Sequence, residues 1–244
     1  MSAAGATDRF GRALASLYGA IDWRRIGEPY CTRGGGEFFG AEDREALLDA
    51  GLRLAADLGE ALESLAGGVG RSLYVGAAVA ELPVVLFESI VAGRRVEWTR
   101  LAGGETDELA RALAQVEREL DVALPRPRAT AAVPSGPFDV LWFASVLTDP
   151  DVFPALHDEL YGRAGTELAV GGGSPEAERE RARGLVADGV GGLRPPALLV
   201  TSDEELPFFE EAARRRGLAL AVPPAGRTSA IVGDVLRFCS VSSR

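Results

Sequence analysis

The stretch with the clearest capacity for chemistry is Arg71 to Pro83, RSLYVGAAVAELP. Ser72 to Val75 is a short apolar run containing Tyr and Val, the content of a buried parallel strand. Gly76, Ala77, Ala78 and Ala80 follow at once, and Leu82 to Val91 reads as an apolar helix. A strand that passes through small residues into a helix brings bare backbone close to a nucleotide-like ligand and aims a helix N-terminus at it. The plainer reading is a tight strand-to-helix turn of any α/β protein. Glu81 stands where G-x-G-x-x-G needs its third glycine, which argues against a dinucleotide site. With one histidine, His157, and two cysteines, Cys31 and Cys239, the sequence offers no Ser-His-Asp, Cys-His or zinc pattern. It has no G-x-x-x-x-G-K phosphate loop either.

A second group of chemically able residues lies in Trp23 to Gly40. Gly34 to Gly36 permit backbone shapes closed to other residues, and Tyr30, Thr32, Arg33, Glu37, Phe38 and Phe39 surround them. Such a loop is a lid or ligand clamp, with Tyr30, Arg33, Phe38 and Phe39 as its contacts, or a connection whose aromatics pack on the core. Tyr30 and Glu37 are candidate catalytic groups. A third stretch, Phe138 to Arg163, opens a buried strand with Phe138-Asp139, closes it near Ser145 and continues through Asp149-Pro150 into a helix over 151–161. Asp149 is the third catalytic candidate. His157 reads as a partly exposed helical histidine rather than a general base.

These segments need elements to hold them. Periodicity predicts helices over 8–20 and 41–66, the latter with Leu47, Gly51, Leu54, Leu58, Leu62 and Leu65 on one face. Strands are predicted at 94–101, 129–133, 196–202, 218–222 and 229–241, with helices at 105–120 and 203–216. Residues 174–194 read as an inserted helix, Ser174 capping it and Pro175 in its first turn; its Glu/Arg face is solvated, shapes a pocket or makes a dimer contact. The last two strands are joined by a short Pro/Gly loop, which forces them antiparallel because a parallel crossover needs about a dozen residues.

In this order the chain resembles the class I S-adenosylmethionine-dependent methyltransferases over roughly residues 70–241. Their first motif places an acid, an apolar residue and G-x-G-x-G at the first strand; here Tyr74 occupies the acid's place and Gly76, Ala78 and Ala80 those of the glycines. Their fourth motif is matched by Asp139, by Ser145 at the strand end and by Gly171 to Gly173 as a glycine turn. The acid that closes the second strand and binds ribose has no counterpart in Trp98-Thr99-Arg100-Leu101, Glu97 being early and Glu105 late. The resemblance implies a seven-stranded, mostly parallel sheet with an antiparallel last strand in a three-layer α/β sandwich. It implies a Rossmann-like domain over 70–244 preceded by N-terminal helices and a lid over 1–69. It further implies S-adenosylmethionine as cofactor, held by Gly76, Ala77, Ala78, Glu81, Thr99 and Ser145, and methyl transfer to a small molecule. The Leu82-Pro83 pair after the turn also resembles nicotianamine-synthase-like enzymes, which move an aminocarboxypropyl group. A non-catalytic scaffold and, last, a nicotinamide-linked oxidoreductase are the other readings.

The 244 residues carry a net charge of −10 and are 47% hydrophobic. That is enough apolar content for a sizeable core and the wrong sign for wide nucleic-acid or anionic-membrane surfaces. Arg94-Arg95 and Arg214 to Arg216 read as basic ends of elements in water. No apolar run is long enough for a membrane span, no secretory signal is visible, and the cytosol, with reduced cysteines, is the expected setting.

Overall fold

Arg71–Val75 (β1) is buried along nearly its whole length, as a strand covered on both faces must be. Its surroundings come from the first of two units in a computed structural model, which describes residues 3–27, 38–65, 68–100, 103–229 and 233–244. This unit comprises Met1–Ser64 and Gly70–Ala131. It contains helices Ala3–Ala20 (α1), Trp23–Gly27 (α2), Ala41–Glu63 (α3), Leu82–Leu86 (α4) and Gly104–Leu120 (α5), and strands β1, Arg95–Arg100 (β2) and Pro127–Ala129 (β3). β2 pairs in parallel with β1 on one side and β3 on the other, with Val75 opposite Thr99 and Trp98 opposite Pro127. Gly51 lets α3 approach α4: a Cβ there would stand 2.5 Å from Pro83 Cγ and 3.0 Å from the Ala80 carbonyl oxygen.

The helix expected over 82–91 is not uniform. A single 3₁₀ turn, Val79–Glu81, leads into α4, and a wider π-type turn, Phe87–Val91, ends it. That turn carries Glu88, whose side chain is fully buried. Tyr74 donates its hydroxyl to Glu88 Oε2 at 2.7 Å, Arg94 Nε donates to Oε1 at 2.6 Å, and Ser72 donates as well. Arg94 is therefore not a basic end in water. It neutralises a carboxylate that burial pushes towards protonation while Ser72, Tyr74 and Arg94 pull it back. Tyr74 thus faces a core carboxylate.

The second unit comprises Leu65–Val69 and Ala132–Arg244. Its strands are Phe138–Phe143 (β4), Leu193–Ser202 (β5), Leu218–Ala221 (β6), Arg227–Thr228 (β7) and Val235–Ser243 (β8), and its helices Pro154–Leu160 (α6), Pro175–Gly192 (α7) and Leu206–Arg215 (α8). β4 and β5 are parallel; β8 runs antiparallel to β5 and β6, with Val200 opposite Phe238 and Leu220 opposite Val241. The antiparallel close follows as the short loop requires. The last strand starts at Val235 rather than Ser229, because Arg227–Thr228 folds back on it as a two-residue strand, so the described residues hold eight strands where seven were expected. Ser174 caps α7, its hydroxyl accepting the Ala177 N–H. Asp139 is fully buried, its carboxylate lying against Gly68 where any Cβ would collide. Parallel strands alternating with helices, closed by antiparallel strands, make this the mixed α/β, Rossmann-like class expected. No helix among the described residues is long and apolar enough to cross a membrane.

Removing one partner of the Glu88–Arg94 pair leaves a buried charge uncompensated. Arg94→Leu is expected to lower the unfolding free energy in urea by ~3–5 kcal/mol, and the double variant Glu88→Leu/Arg94→Leu by much less; equal losses would show that the pair is not coupled.

Candidate functional site

In the first unit β1 is followed by Gly76, whose φ of 74° lies in the left-handed region open to glycine. The peptide groups of the turn are held from β2 and from within. Gly76 N–H donates to the Thr99 carbonyl at 2.8 Å, while the Ala77 carbonyl accepts from Trp98 Nε1 at 2.9 Å and Arg100 Nη1 at 3.0 Å. Ala78 N–H donates to Glu81 Oε2 at 2.8 Å. Arg100 is clamped by Glu105, Nη2 to Oε2 at 2.8 Å and Nη1 to Oε1 at 3.2 Å. Glu81 is raised above the ordinary carboxylate range by burial, against the Ala78 N–H and the Arg100 charge. The Tyr18 hydroxyl of α1, sealed from solvent, has no hydrogen-bond partner among the described residues. Burial and the charge of Glu81 both raise Tyr18, so the hydroxyl stays protonated.

The second unit gathers polar groups at the carboxyl ends of β4 and β5. Ser145 has a φ of 58°, unusual for a residue with a side chain. Its hydroxyl donates to Asp234 Oδ2 at 2.7 Å, and the Tyr161 hydroxyl donates to Oδ1 at 2.7 Å. Three successive N–H groups, of Ser145, Val146 and Leu147, donate to Glu205 at 3.1, 2.6 and 2.7 Å, and Thr201 Oγ1 adds a fourth bond at 3.2 Å. The Glu205 carboxyl, fully buried, is pushed up to about 7 by its burial although these donors favour the ion. His157 Nδ1 lies 2.6 Å from the Thr148 carbonyl and Nε2 lies 3.2 Å from Arg163 Nη1.

Gly76, Ala77, Ala78, Glu81 and Thr99 thus come together in the first unit. Within this group the Thr99 hydroxyl donates back to the Tyr74 carbonyl at 3.4 Å. Ser145 belongs to the second unit. Asp149 stabilises its own turn, its Oδ1 accepting from Asp151 N–H at 2.9 Å. Phe39 packs edge-on against Trp23, centroids 5.8 Å apart, while Phe38 is exposed. Tyr30, Arg33 and Glu37 lie outside the described residues, as does Cys31. His157 is buried rather than partly exposed, because its ring nitrogens are taken by Thr148 and Arg163. Cys239 is a free, buried thiol pushed up to about 12 by burial. The described residues contain no cluster of three or more metal-ligating side chains. Sequence reasoning missed Tyr18, which reads as part of an apolar helix face, and Glu205 and Asp234, whose partners lie far away in the chain.

No family model and no curated protein matches the chain. Among solved structures it is similar to magnesium protoporphyrin IX methyltransferase from Synechocystis PCC 6803 with bound SAM, at 13% identity over 95% of this chain and 97% of that one, TM-score 0.48. It is also similar to an O-methyltransferase from Bacillus cereus in complex with SAH, at 10% identity over 93% of this chain and 100% of that one, TM-score 0.45. A third similar structure is the hMettl16 catalytic domain in complex with an RNA hairpin, at 16% identity over 78% of this chain and 69% of that one, TM-score 0.43. No residue role is carried over at such identities.

A carboxyl raised on folding contributes stability that is complete below its unfolded value, ~4.3, and is lost as pH rises through its folded value. For Glu205 that window ends at about 7. The difference in unfolding free energy between wild type and Glu205→Gln, measured in urea, is expected to shrink from about pH 5 to about pH 8. A difference that stays flat over this range would mean that the three N–H groups outweigh burial.

Proposed function

We propose that the chain is a transferase that binds S-adenosylmethionine and passes on its methyl group to a small-molecule acceptor. The observation that carries this reading is the turn from Gly76 to Glu81. It combines a left-handed glycine at the end of a parallel strand, small side chains and a half-buried carboxylate, Glu81. Such a turn suits a nucleoside-bearing ligand with positive charge. The residues present fit the cofactor with one change. Where an acid would close β2 stands Arg100, and the nearest carboxylate there is Glu105, brought in from the first turn of α5.

When bound, the cofactor supplies a methyl carbon activated by a sulfonium. The chain's own task is then to hold an acceptor in line and to exclude water. A base is needed only where the acceptor must lose a proton. A net charge of −10 favours small-molecule over nucleic-acid acceptors, and a cytosolic setting belongs to the same proposal.

Calorimetry with S-adenosylhomocysteine is expected to give a dissociation constant of ~1–100 μM, in the range of cofactor and substrate sites. Gly76→Val, which puts a β-branched residue at positive φ, is expected to abolish binding with the circular dichroism spectrum retained. Undiminished binding would move the site elsewhere, and no binding by the wild type would leave a non-catalytic scaffold. Labelled methyl and labelled carboxypropyl donors separate methyl from aminocarboxypropyl transfer.

A further inference from the structure

β6 is an edge strand. Among the described residues it pairs with β8 alone, Leu220 opposite Val241, so its other side offers main-chain N–H and C=O groups with no strand to meet them. Sheets blunt such edges with proline, charge or cover. The edge strand of the first unit does so: β3 begins at Pro127, which has no N–H, and Arg126 and Arg128 flank that proline. β6 reads Leu218-Ala219-Leu220-Ala221, with neither charge nor proline, and none of the four is buried. Gly217 on one side and Pro223-Pro224 on the other bound the run that is open to pairing.

Beside this edge, between β6 and α8, lies an open groove of about 400 Å³. Leu218, Leu220 and Pro207 give it apolar surface, and Glu210 and Arg214 give it charge of both signs. The neighbouring Glu211 is bound to Arg215 at 2.5 Å and to Arg183 at 3.6 Å. Glu210 and Arg214, both exposed, have no ion-pair partner among the described residues. A strand added to β6 sets alternate side chains against such a groove. When the added strand is the same strand, antiparallel, the two copies are related by a two-fold axis normal to the sheet. That axis keeps both grooves on one side and lays the two α8 helices antiparallel, so the acid of each copy comes towards the base of the other. A groove with one acid and one base four residues apart is thus complementary to itself. We propose that β6 pairs with the β6 of a second copy, and that the chain forms a two-fold dimer through this edge. The leucines of both strands close the groove, and Glu210 meets Arg214 of the partner subunit.

Equilibrium sedimentation of the full chain over a concentration series is expected to give a mass approaching twice 25.6 kDa. Glu210→Arg and Arg214→Glu each set like charges face to face at two symmetric places, and each is expected to raise the dimer dissociation constant about 10-fold or more. The double variant Glu210→Arg/Arg214→Glu restores opposite charges and should return to within about threefold of wild type. Both side chains are exposed, so the circular dichroism spectrum should hold in all three variants. Hydrogen exchange separates strand pairing from a contact between helices alone: amides of Leu218–Ala221 should exchange more slowly in the wild type than in either single variant. A chain that stays monomeric leaves the edge to a strand from another protein and overturns the proposal. A dimer that neither reversal weakens, a double variant no better than the singles, or equal exchange at 218–221 in dimer and monomer overturns it as well.

Discussion

The Ala77 carbonyl oxygen receives two hydrogen bonds from the neighbouring strand, one from the Trp98 indole and one from the Arg100 guanidinium. Much of the first unit's polar architecture follows from this. A strand that must turn sharply after Val75 exposes peptide groups that the sheet no longer pairs, and burial forbids leaving them unpaired. β2 supplies the partners, with Thr99 accepting from Gly76 and the two flanking side chains meeting Ala77. Arg100 then carries a charge into a half-buried place, and Glu105 at the start of α5 balances it. The position of α5, the shape of the turn and the arginine at the end of β2 are thus one arrangement.

Both units also solve the problem of an interior carboxylate, by different means. Glu88 is met by a guanidinium and two hydroxyls, a full charge balanced by a full charge. Glu205 is met by three consecutive backbone N–H groups, partial charges converging as they do on bound anions. The second solution fixes the backbone through Ser145 at a left-handed angle, which places the serine hydroxyl on Asp234. A core acid at the turn that leads from β5 into α8 thereby shapes the loop after β4.

Much of the fold was legible because it rests on local signals. The apolar run before Gly76, the leucine stripe of α3 and the short loop before the last strand each confine the backbone within a dozen residues. What stayed hidden depends on partners distant in sequence: Ser145 and Asp234 are 89 residues apart, Ser145 and Glu205 60. Charge patterns misled where they were buried. Arg94-Arg95 looks like a solvated pair, and the run Asp203-Glu204-Glu205 gives no sign that its last member enters the core. Tyr18 shares its helix face with Leu14 and Leu17, and nothing in that pattern separates a packing tyrosine from one whose buried hydroxyl finds no partner among the described residues. The π-type turn at Phe87–Val91 was invisible for a similar reason, since the apolar run continues straight through it.

His157 carries one last consequence. A carbonyl can only accept and a guanidinium can only donate, so the contacts with Thr148 and Arg163 fix the hydrogen on Nδ1 and the lone pair on Nε2. The sole imidazole of the chain is thereby withdrawn from its surroundings, both nitrogens satisfied inside one loop and helix. To acylating reagents or to immobilised nickel the native molecule presents no histidine at all, and any imidazole reactivity it acquires would report that Arg163 has let go.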